Sequence, residues 1–324
     1  MTETLPDFAA VVAAAGRLKG RVRRTPVMRS DTFDRRAGRA VVFKCENLQQ
    51  GGAFKLRGAF NALLALPADA GVTHVATHSS GNHGNALAIA ARALGLACTV
   101  VVPEGSSRVK VAAIEASGAR IVWCEPGLAA REAALAALVA REPVHVVHPF
   151  DDADVIAGQG TAALELIAEP VDLDTVVAPI GGGGLIGGTA LAVRGTLGDC
   201  TVIGAEPAGA DDAWRSFMGG RRVGVDAPDT IADGLRASIG VRNFELLRRH
   251  VDEVVTVTEA AIVAAMRIVL EDLKLLIEPS SAVAVAAVLD GRAARMGDQV
   301  GVILSGGNVD LGQCPFLSGR VEAS

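Results

Sequence analysis

The chain has 324 residues, of which 50% are hydrophobic and 21% charged, so it can bury a large core and is not globally disordered. A length of this order predicts about two domains. Lys and Arg number 31 against 36 Asp and Glu, a net charge of −5, which argues against nucleic-acid binding and against a polybasic membrane patch.

The cysteines and the N-terminal residues indicate in which cellular compartment the protein is expected. The five cysteines are scattered and form no CxxC pair, which favours reduced thiols in a cytoplasmic protein. The first residues carry acid where a signal peptide carries base, and no apolar run approaches the roughly 18 residues of a membrane span. Tyrosine is absent, which excludes any mechanism that needs a phenol as acid or base.

Short β-branched runs alternate with Ala- and Leu-rich helical stretches along the chain. The pattern predicts strands at 41–43, 72–77, 98–102, 120–123, 144–147, 175–179, 201–205, 253–257 and 300–304. It predicts helices at 56–66, 83–95, 107–117, 128–141, 155–168, 185–195, 259–274 and 280–290. Such alternation is typical of βαβ crossovers, so we expect mostly parallel sheets that helices cover on both faces.

The best internal boundary is a polar turn that follows the strand at 144–147. The strands before it, from 72 onward, then form one small open sheet. The remaining strands form a second sheet together with the N-terminal segment. The predicted domains are a large one from residues 1–67 and 153–324 and a small α/β one from residues 68–152.

A glycine-rich loop follows the predicted strand at 175–179 and opens an Ala-rich helix. It consists of Gly181, Gly182, Gly183, Gly184 and Leu185. Unhindered backbone amides at a helix N-terminus form an anion nest, so the loop predicts phosphate binding. The spacing of Gly182, Gly184 and Gly187, with Glu206 on the next strand, also fits a dinucleotide fingerprint. A nicotinamide enzyme therefore stays an alternative at this point.

Further candidate residues lie where predicted helices begin or strands end. Lys55 opens a glycine-flanked helix, whose N-terminus disfavours a protonated amine and so favours imine chemistry; a solvated surface lysine is the simpler interpretation. Ser80 and Asn82 follow one strand and Ser305 follows another, and open sheets collect ligands at such carboxyl ends. Ordinary helix-capping and turn roles are the alternative for these polar residues.

Two groups of residues raise the question of a metal site. His74, His78 and His83 fall on strands and turns without an HExxH motif or a cysteine pair, which argues against zinc. The loop from Glu206 to Asp212 offers two carboxylates and a free carbonyl, which suits a hard cation. A solvated acidic turn is the alternative for this loop.

Seven motifs occur in the order in which one enzyme family carries them. They lie at 52–59, 79–84, 157–161, 181–184, 231–234, 278–280 and 305–310. Together they closely resemble the fold-type II pyridoxal-phosphate enzymes, specifically the threonine/serine dehydratase and serine racemase group, over about residues 20–312. The resemblance implies an α/β fold of the tryptophan synthase β type, with two open, mostly parallel sheets flanked by helices. It also implies pyridoxal 5'-phosphate (PLP) as the cofactor.

The resemblance implies a role for each matching residue. Lys55 would hold the cofactor covalently and Ser80 would sit on the opposite face of its ring, and both would be catalytic. The cofactor-binding residues would be Phe54, Lys55, Asn82, Gly181, Gly182, Gly183, Gly184, Leu185, Glu278 and Ser305. Glu206, the Ala210 carbonyl and Asp212 match the divalent-cation site, for Mg, Ca or Mn, of the racemase-like members. A neutral Ser305 at the pyridine nitrogen would weaken the electron sink, which suits β-elimination.

The activity expected from the resemblance is deamination of L-threonine and L-serine to 2-oxobutanoate and pyruvate, with release of ammonia. Serine racemase with side dehydratase activity and 3-hydroxyaspartate dehydratase are the alternatives within the group, because the substrate pocket carries no readable motif. Phe150 looks more like the dehydratases than the animal racemases, and Ala53 stands where many members have Ser. Family habit implies a homodimer.

Overall fold

The computed structural model of the protein describes residues 4–79 and 81–316. The strands are β1 (Val27–Arg29), β2 (Ala40–Cys45), β3 (His74–His78), β4 (Ala97–Pro103), β5 (Arg120–Cys124), β6 (His145–Val146), β7 (Thr175–Pro179), β8 (Thr201–Pro207), β9 (Glu253–Val257) and β10 (Gln299–Leu304). The α-helices are α1 (Phe8–Leu18), α2 (Asp31–Ala37), α3 (Lys55–Leu64), α4 (Asn82–Ala93), α5 (Arg108–Ala116), α6 (Leu128–Val139), α7 (Ala153–Ile167), α8 (Gly184–Thr196), α9 (Asp212–Gly219), α10 (Val241–His250), α11 (Glu259–Leu273) and α12 (Pro279–Asp290). None of the described helices is both long and apolar enough to cross a membrane.

The strands form two sheets. The larger has six strands in the order β1-β2-β10-β7-β8-β9, and the smaller has four in the order β5-β4-β3-β6. Every neighbouring pair is parallel except β1 with β2. The predicted α/β fold with two open, mostly parallel sheets is confirmed, and each of the predicted strands is present. Strand β1 lies outside the prediction because it is a three-residue edge strand that is only half-buried.

Both faces of each sheet are buried. In β2, Val41 and Phe43 pack in the core that contains α12, whereas Val42 packs in the core that contains α7 and α8. In β4, Val100 packs with α3 and α4, whereas Val101 packs with α6 on the other face. Alternate residues of a strand point to opposite faces, so these continuous apolar runs are what a doubly covered sheet requires.

The sheets divide the chain at places close to the predicted domain limits. All strands of the smaller sheet lie between residues 74 and 146, and those of the larger sheet lie before and after them. The limits themselves, at residues 67/68 and 152/153, stay a prediction.

The polar loops of both sheets meet at the carboxyl ends of the strands. Strands β2, β10 and β7 are parallel neighbours, so their carboxyl ends share one edge of the larger sheet. We call the segments that follow β2, β3, β6, β7 and β10 the loop cluster; they comprise residues 46–54, 79, 81, 147–152, 180–183 and 305–310. Asn82, which begins α4 after β3, donates a hydrogen bond at 2.7 Å to Glu278, which directly precedes α12. Because α12 packs on the larger sheet, this bond links the two sheets.

A buried ion-pair network fixes the helix that follows β2. The guanidinium of Arg57, in α3, donates to both carboxylate oxygens of Glu46 at 2.8 Å and to both of Glu165 at 2.8 Å. Lys44 Nζ donates to Glu165 at 2.6 Å and to the Thr25 carbonyl at 2.7 Å. Two cations and two carboxylates balance each other, and bidentate geometry satisfies the donors of the guanidinium.

Removal of the Arg57 guanidinium should strongly destabilise the fold. The Arg57→Met variant leaves the buried Glu46 carboxylate without its cation, which costs about 3–5 kcal/mol. Arg24→Met, which breaks the surface pair of Arg24 with Glu169, should cost less than about 1 kcal/mol. Urea unfolding followed by circular dichroism measures both midpoints. Equal shifts in the two variants would show that the buried network stabilises the fold no more than a surface ion pair does.

Candidate active site

Lys55 begins helix α3, and its amine lies within the loop cluster. The Nζ atom donates a hydrogen bond to the carbonyl oxygen of Pro149 at 2.8 Å. Burial lowers the pKa of Lys55 to about 8, and the nearby Glu278 carboxylate opposes this shift. Because an ordinary lysine has a pKa of about 10.4, this amine is far more often neutral, and therefore nucleophilic, near neutral pH.

The backbone before Lys55 is anchored to the segment that follows β10. Phe54 N donates to the Ser305 carbonyl at 3.0 Å, and Gly307 N donates to the Gly52 carbonyl at 2.9 Å. Gly52 has a φ of +76°, and a Cβ there would lie 2.2 Å from Oδ1 of Asn308, so only glycine fits this turn. The turn places Phe54 next to Ser305, two residues that the resemblance assigns to one cofactor.

The glycine loop between β7 and α8 is an open cradle of backbone donors. None of the N–H groups of residues 181–186 donates a hydrogen bond to another described residue. Other residues pack closely against the loop. A Cβ on Gly182 would lie 2.2 Å from the Phe150 ring, and a Cβ on Gly183, which has a φ of +91°, would lie 2.6 Å from Cβ of Asn243. Leu185 is buried in the first turn of α8. Unpaired N–H groups at a helix N-terminus fit a phosphate, and so fit PLP.

Asn82 and Glu278 belong to one hydrogen-bonded chain. Asn82 Nδ2 donates to Glu278 at 2.7 Å, and Asn308 Nδ2 donates to Asn82 Oδ1 at 3.0 Å. Lys110 Nζ donates to Glu278 at 3.2 Å and to Asp233 at 2.6 Å. Burial raises the pKa of Glu278, and Lys110 opposes this shift. The chain fixes the orientation of the Asn82 amide, which the resemblance places beside the cofactor ring.

The resemblance predicts that both Ser305 and Ser80 face the cofactor. Ser305 is buried directly after β10, and its hydroxyl makes no hydrogen bond to another described residue. Ser80 lies outside the described residues, so its predicted place on the ring face opposite Lys55 stays a prediction. Its neighbour Ser79 accepts a hydrogen bond from Gly81 N at 3.2 Å through its hydroxyl.

Glu206 and Asp212 are buried carboxylates in the loop between β8 and α9. Glu206 accepts backbone N–H groups from Ala213 at 3.2 Å and Trp214 at 2.7 Å, one at each carboxylate oxygen. Asp212 accepts from Ile239 N at 2.7 Å through Oδ2, while its buried Oδ1 has no partner among the described residues. Burial raises the pKa of Asp212 to about 6 and that of Glu206 well above its usual range.

These carboxylates do not by themselves make a metal centre. No group of three or more His, Cys, Asp or Glu side chains in the described part of the chain could hold a metal ion. The predicted third ligand is a backbone carbonyl, that of the buried Ala210. The unpaired Asp212 oxygen is nevertheless the kind of group that a hard cation satisfies.

Two imidazoles, those of His78 and His148, and the guanidinium of Arg131 lie near the loop cluster. The rings of His78 and His148 are 5.8 Å apart, and the Nδ1 atom of His148 accepts the N–H of Asp151 at 2.9 Å. Burial and, to a lesser extent, the cation of Arg131 lower the pKa of His78 to about 4. Arg131 is half-buried in the first turn of α6; its hydrogen bond among the described residues goes from Nε to the Gly127 carbonyl at 3.3 Å, and none of their carboxylates forms a salt bridge with it.

Three residues of this site lie outside the sequence prediction. Pro149 contributes a backbone carbonyl, so its side chain carries no signal of the role. Arg131 lies on a helix with an ordinary Ala-rich pattern, and Asn243 lies on a helix that the periodicity did not indicate. Only the folded chain brings Pro149 to Lys55, Asn243 to the glycine loop and Arg131 within electrostatic reach of His78.

The chain is similar in sequence and in structure to several known proteins. Over 312 residues the chain is 44% identical to the β-hydroxyaspartate dehydratase of Paracoccus denitrificans, which covers 96% of this chain and 99% of that protein. It is 42% identical to the serine racemase of Arabidopsis thaliana over 94% of each chain. The structure of maize serine racemase superposes with a TM-score of 0.93 at 38% identity, over 96% of each chain.

These relatives favour the alternatives of the sequence analysis over its first expectation. They are named for dehydration of hydroxyaspartate and for serine racemisation, not for deamination of threonine. Residues 18–306 match the family described as "Pyridoxal-phosphate dependent enzyme", and the chain therefore belongs to this family of dehydratases and racemases.

Proposed function

We propose that the protein is a PLP-dependent ammonia-lyase that converts 3-hydroxyaspartate to oxaloacetate and ammonia. The carrying observation is the guanidinium of Arg131, which forms no salt bridge with a carboxylate of the described residues. A half-buried cation without a salt-bridge partner suits a second carboxylate on the substrate, which serine and threonine lack. The name of the Paracoccus denitrificans relative supports the same substrate class.

The position of Arg131 relative to Lys55 also supports a dicarboxylic substrate. The Lys55 amine bonds to Pro149, the residue after His148. The ring of His148 lies 5.8 Å from that of His78, whose pKa the Arg131 cation lowers. A substrate with its Cα near Lys55 could thus extend its distal carboxylate past these neutral imidazoles toward Arg131.

The proton chemistry rests on Lys55. When bound, the cofactor withdraws electrons from Cα of the substrate and so acidifies its proton. The Lys55 amine takes this proton, because burial lowers its pKa to about 8 and so raises its neutral fraction, while the Pro149 carbonyl orients it. The hydroxyl on Cβ leaves as water, and the water regained in hydrolysis frees ammonia and leaves oxaloacetate.

Arg131→Gln should change substrate preference rather than abolish activity. Loss of a charged hydrogen bond to the distal carboxylate should lower kcat/KM for 3-hydroxyaspartate by about 10–100-fold. The kcat/KM for L-serine, which has no such carboxylate, should stay within about threefold of the wild-type value. Ammonia release from both substrates measures the effect, with Arg141→Gln, an exposed arginine just after α6, as the matched control.

Two outcomes would contradict the proposed substrate. Equal losses on both substrates would show that Arg131 does not read the second carboxylate. A wild-type enzyme that forms D-serine from L-serine faster than ammonia from 3-hydroxyaspartate would favour serine racemase. That second candidate is supported by the Arabidopsis thaliana relative and by the maize structure.

We also propose that Glu206, the Ala210 carbonyl and Asp212 hold a divalent cation. The unpaired Asp212 oxygen supports this site, as does the raised pKa of both carboxylates, because a cation would offset the cost of their charges. The homodimer and the cytoplasmic location stay predictions of the sequence analysis.

Chelation should lower the melting temperature of metal-loaded protein by several degrees. A ligand that binds only the folded state at about 100 times its dissociation constant adds about 2.7 kcal/mol of stability. Glu206→Gln should remove the response to chelator, whereas Asp211→Asn, in the same loop but paired with Arg215, should keep it. Identical melting with and without chelator, in protein shown by metal analysis to be loaded, would restore the solvated-turn interpretation.

A further inference from the structure

Asn243 is a buried amide that joins two segments of the loop cluster. It lies in the first turn of α10 and has no exposed surface. Its Nδ2 atom donates one hydrogen bond to the Gly182 carbonyl at 2.7 Å and another to the Phe150 carbonyl at 2.9 Å. An amide nitrogen has two hydrogens, so both are used, and two carbonyls fix the orientation of the side chain.

The two carbonyls belong to segments with different tasks. Gly182 lies in the glycine loop, whose unpaired N–H groups fit a phosphate. Phe150 directly follows Pro149, the carbonyl that accepts the hydrogen bond of the Lys55 amine. One side chain therefore connects the phosphate cradle with the backbone that positions the reactive amine.

Other contacts at the start of α10 reinforce this connection. The Asp151 carboxylate accepts the N–H groups of Val241 at 2.9 Å and Arg242 at 3.0 Å. Gly240 N donates to the Gly182 carbonyl at 3.1 Å. Because residues 150, 151 and 182 are all bonded to one helix end, the two segments have little freedom to move independently.

We propose that Asn243 is a positioning residue that sets the separation between the phosphate cradle and the Lys55 amine. PLP carries its aldehyde and its phosphate-bearing arm on neighbouring carbons of one rigid ring, so a protein that binds both must hold their partners at a restricted separation. The inference rests on the assignment of Lys55 and the glycine loop to this cofactor, and it is independent of the substrate. It predicts that the loss of the amide impairs two separate properties, the affinity for the cofactor and the reaction of the amine.

Mixing of cofactor-free protein with PLP tests both properties by absorbance. The dissociation constant of the initial complex reports on the cradle, and the first-order rate of attachment to Lys55 at saturation reports on the amine. Asn243→Leu, which removes both donors at similar side-chain shape, should raise the constant and slow the attachment by about tenfold each. Leu247→Ala removes a fully buried side chain of the same helix and should change either by less than about threefold.

Asn243→Ser, a smaller side chain without the amide, is measured alongside, so that a folding defect of one variant does not decide the result. A folded variant with both constants within about threefold of the wild-type values would refute the proposal. A change in the dissociation constant alone would also refute it, since Asn243 would then serve only the loop. Wild-type protein that attaches no PLP to Lys55 would instead overturn the site assignment itself.

Discussion

The proposed function depends on one amine, that of Lys55, which must lose its proton and be held in a fixed position. Burial lowers the pKa of Lys55 to about 8, and its Nζ atom bonds to the Pro149 carbonyl. A protonated amine can neither attack the cofactor aldehyde nor remove a proton, so this environment is a precondition for the family's chemistry. The amine belongs to α3, which follows β2 of the larger sheet, and its acceptor follows β6 of the smaller sheet. The position of the amine relative to its acceptor therefore depends on how the two sheets pack.

The rest of the fold serves to keep these groups from moving. Arg57, two residues after Lys55, ties the first turn of α3 to Glu46, just after β2, and to Glu165 of α7 through four hydrogen bonds. A lysine whose helix were free to shift would lose its acceptor. On the opposite side, Asn243 and Asp151 hold the Phe150 segment against the glycine loop. In the proposed function, these ordered surroundings let the single amine of Lys55 act both as nucleophile and as base.

Much of this architecture could be predicted from sequence because its signals are local. Continuous apolar runs mark β2, β7 and β10, and four consecutive glycines mark the cradle. What the prediction lacks depends on contacts between distant residues. Pro149 acts through its backbone, and Asn243 meets Gly182 across 61 positions of sequence. Arg131 is informative only because it forms no salt bridge with a carboxylate of the described residues, and such an absence is visible only after folding.

The most direct test of the central role of Lys55 is to locate the cofactor on the chain. Protein incubated with PLP is reduced with borohydride, digested and mapped by mass spectrometry across its five lysines, Lys19, Lys44, Lys55, Lys110 and Lys274. We expect the label on Lys55 alone, with a yield that rises through a pH of about 8, because the pKa of this amine is lowered. Label on another lysine, or a yield that rises only near the ordinary lysine pKa of about 10.4, would contradict this role.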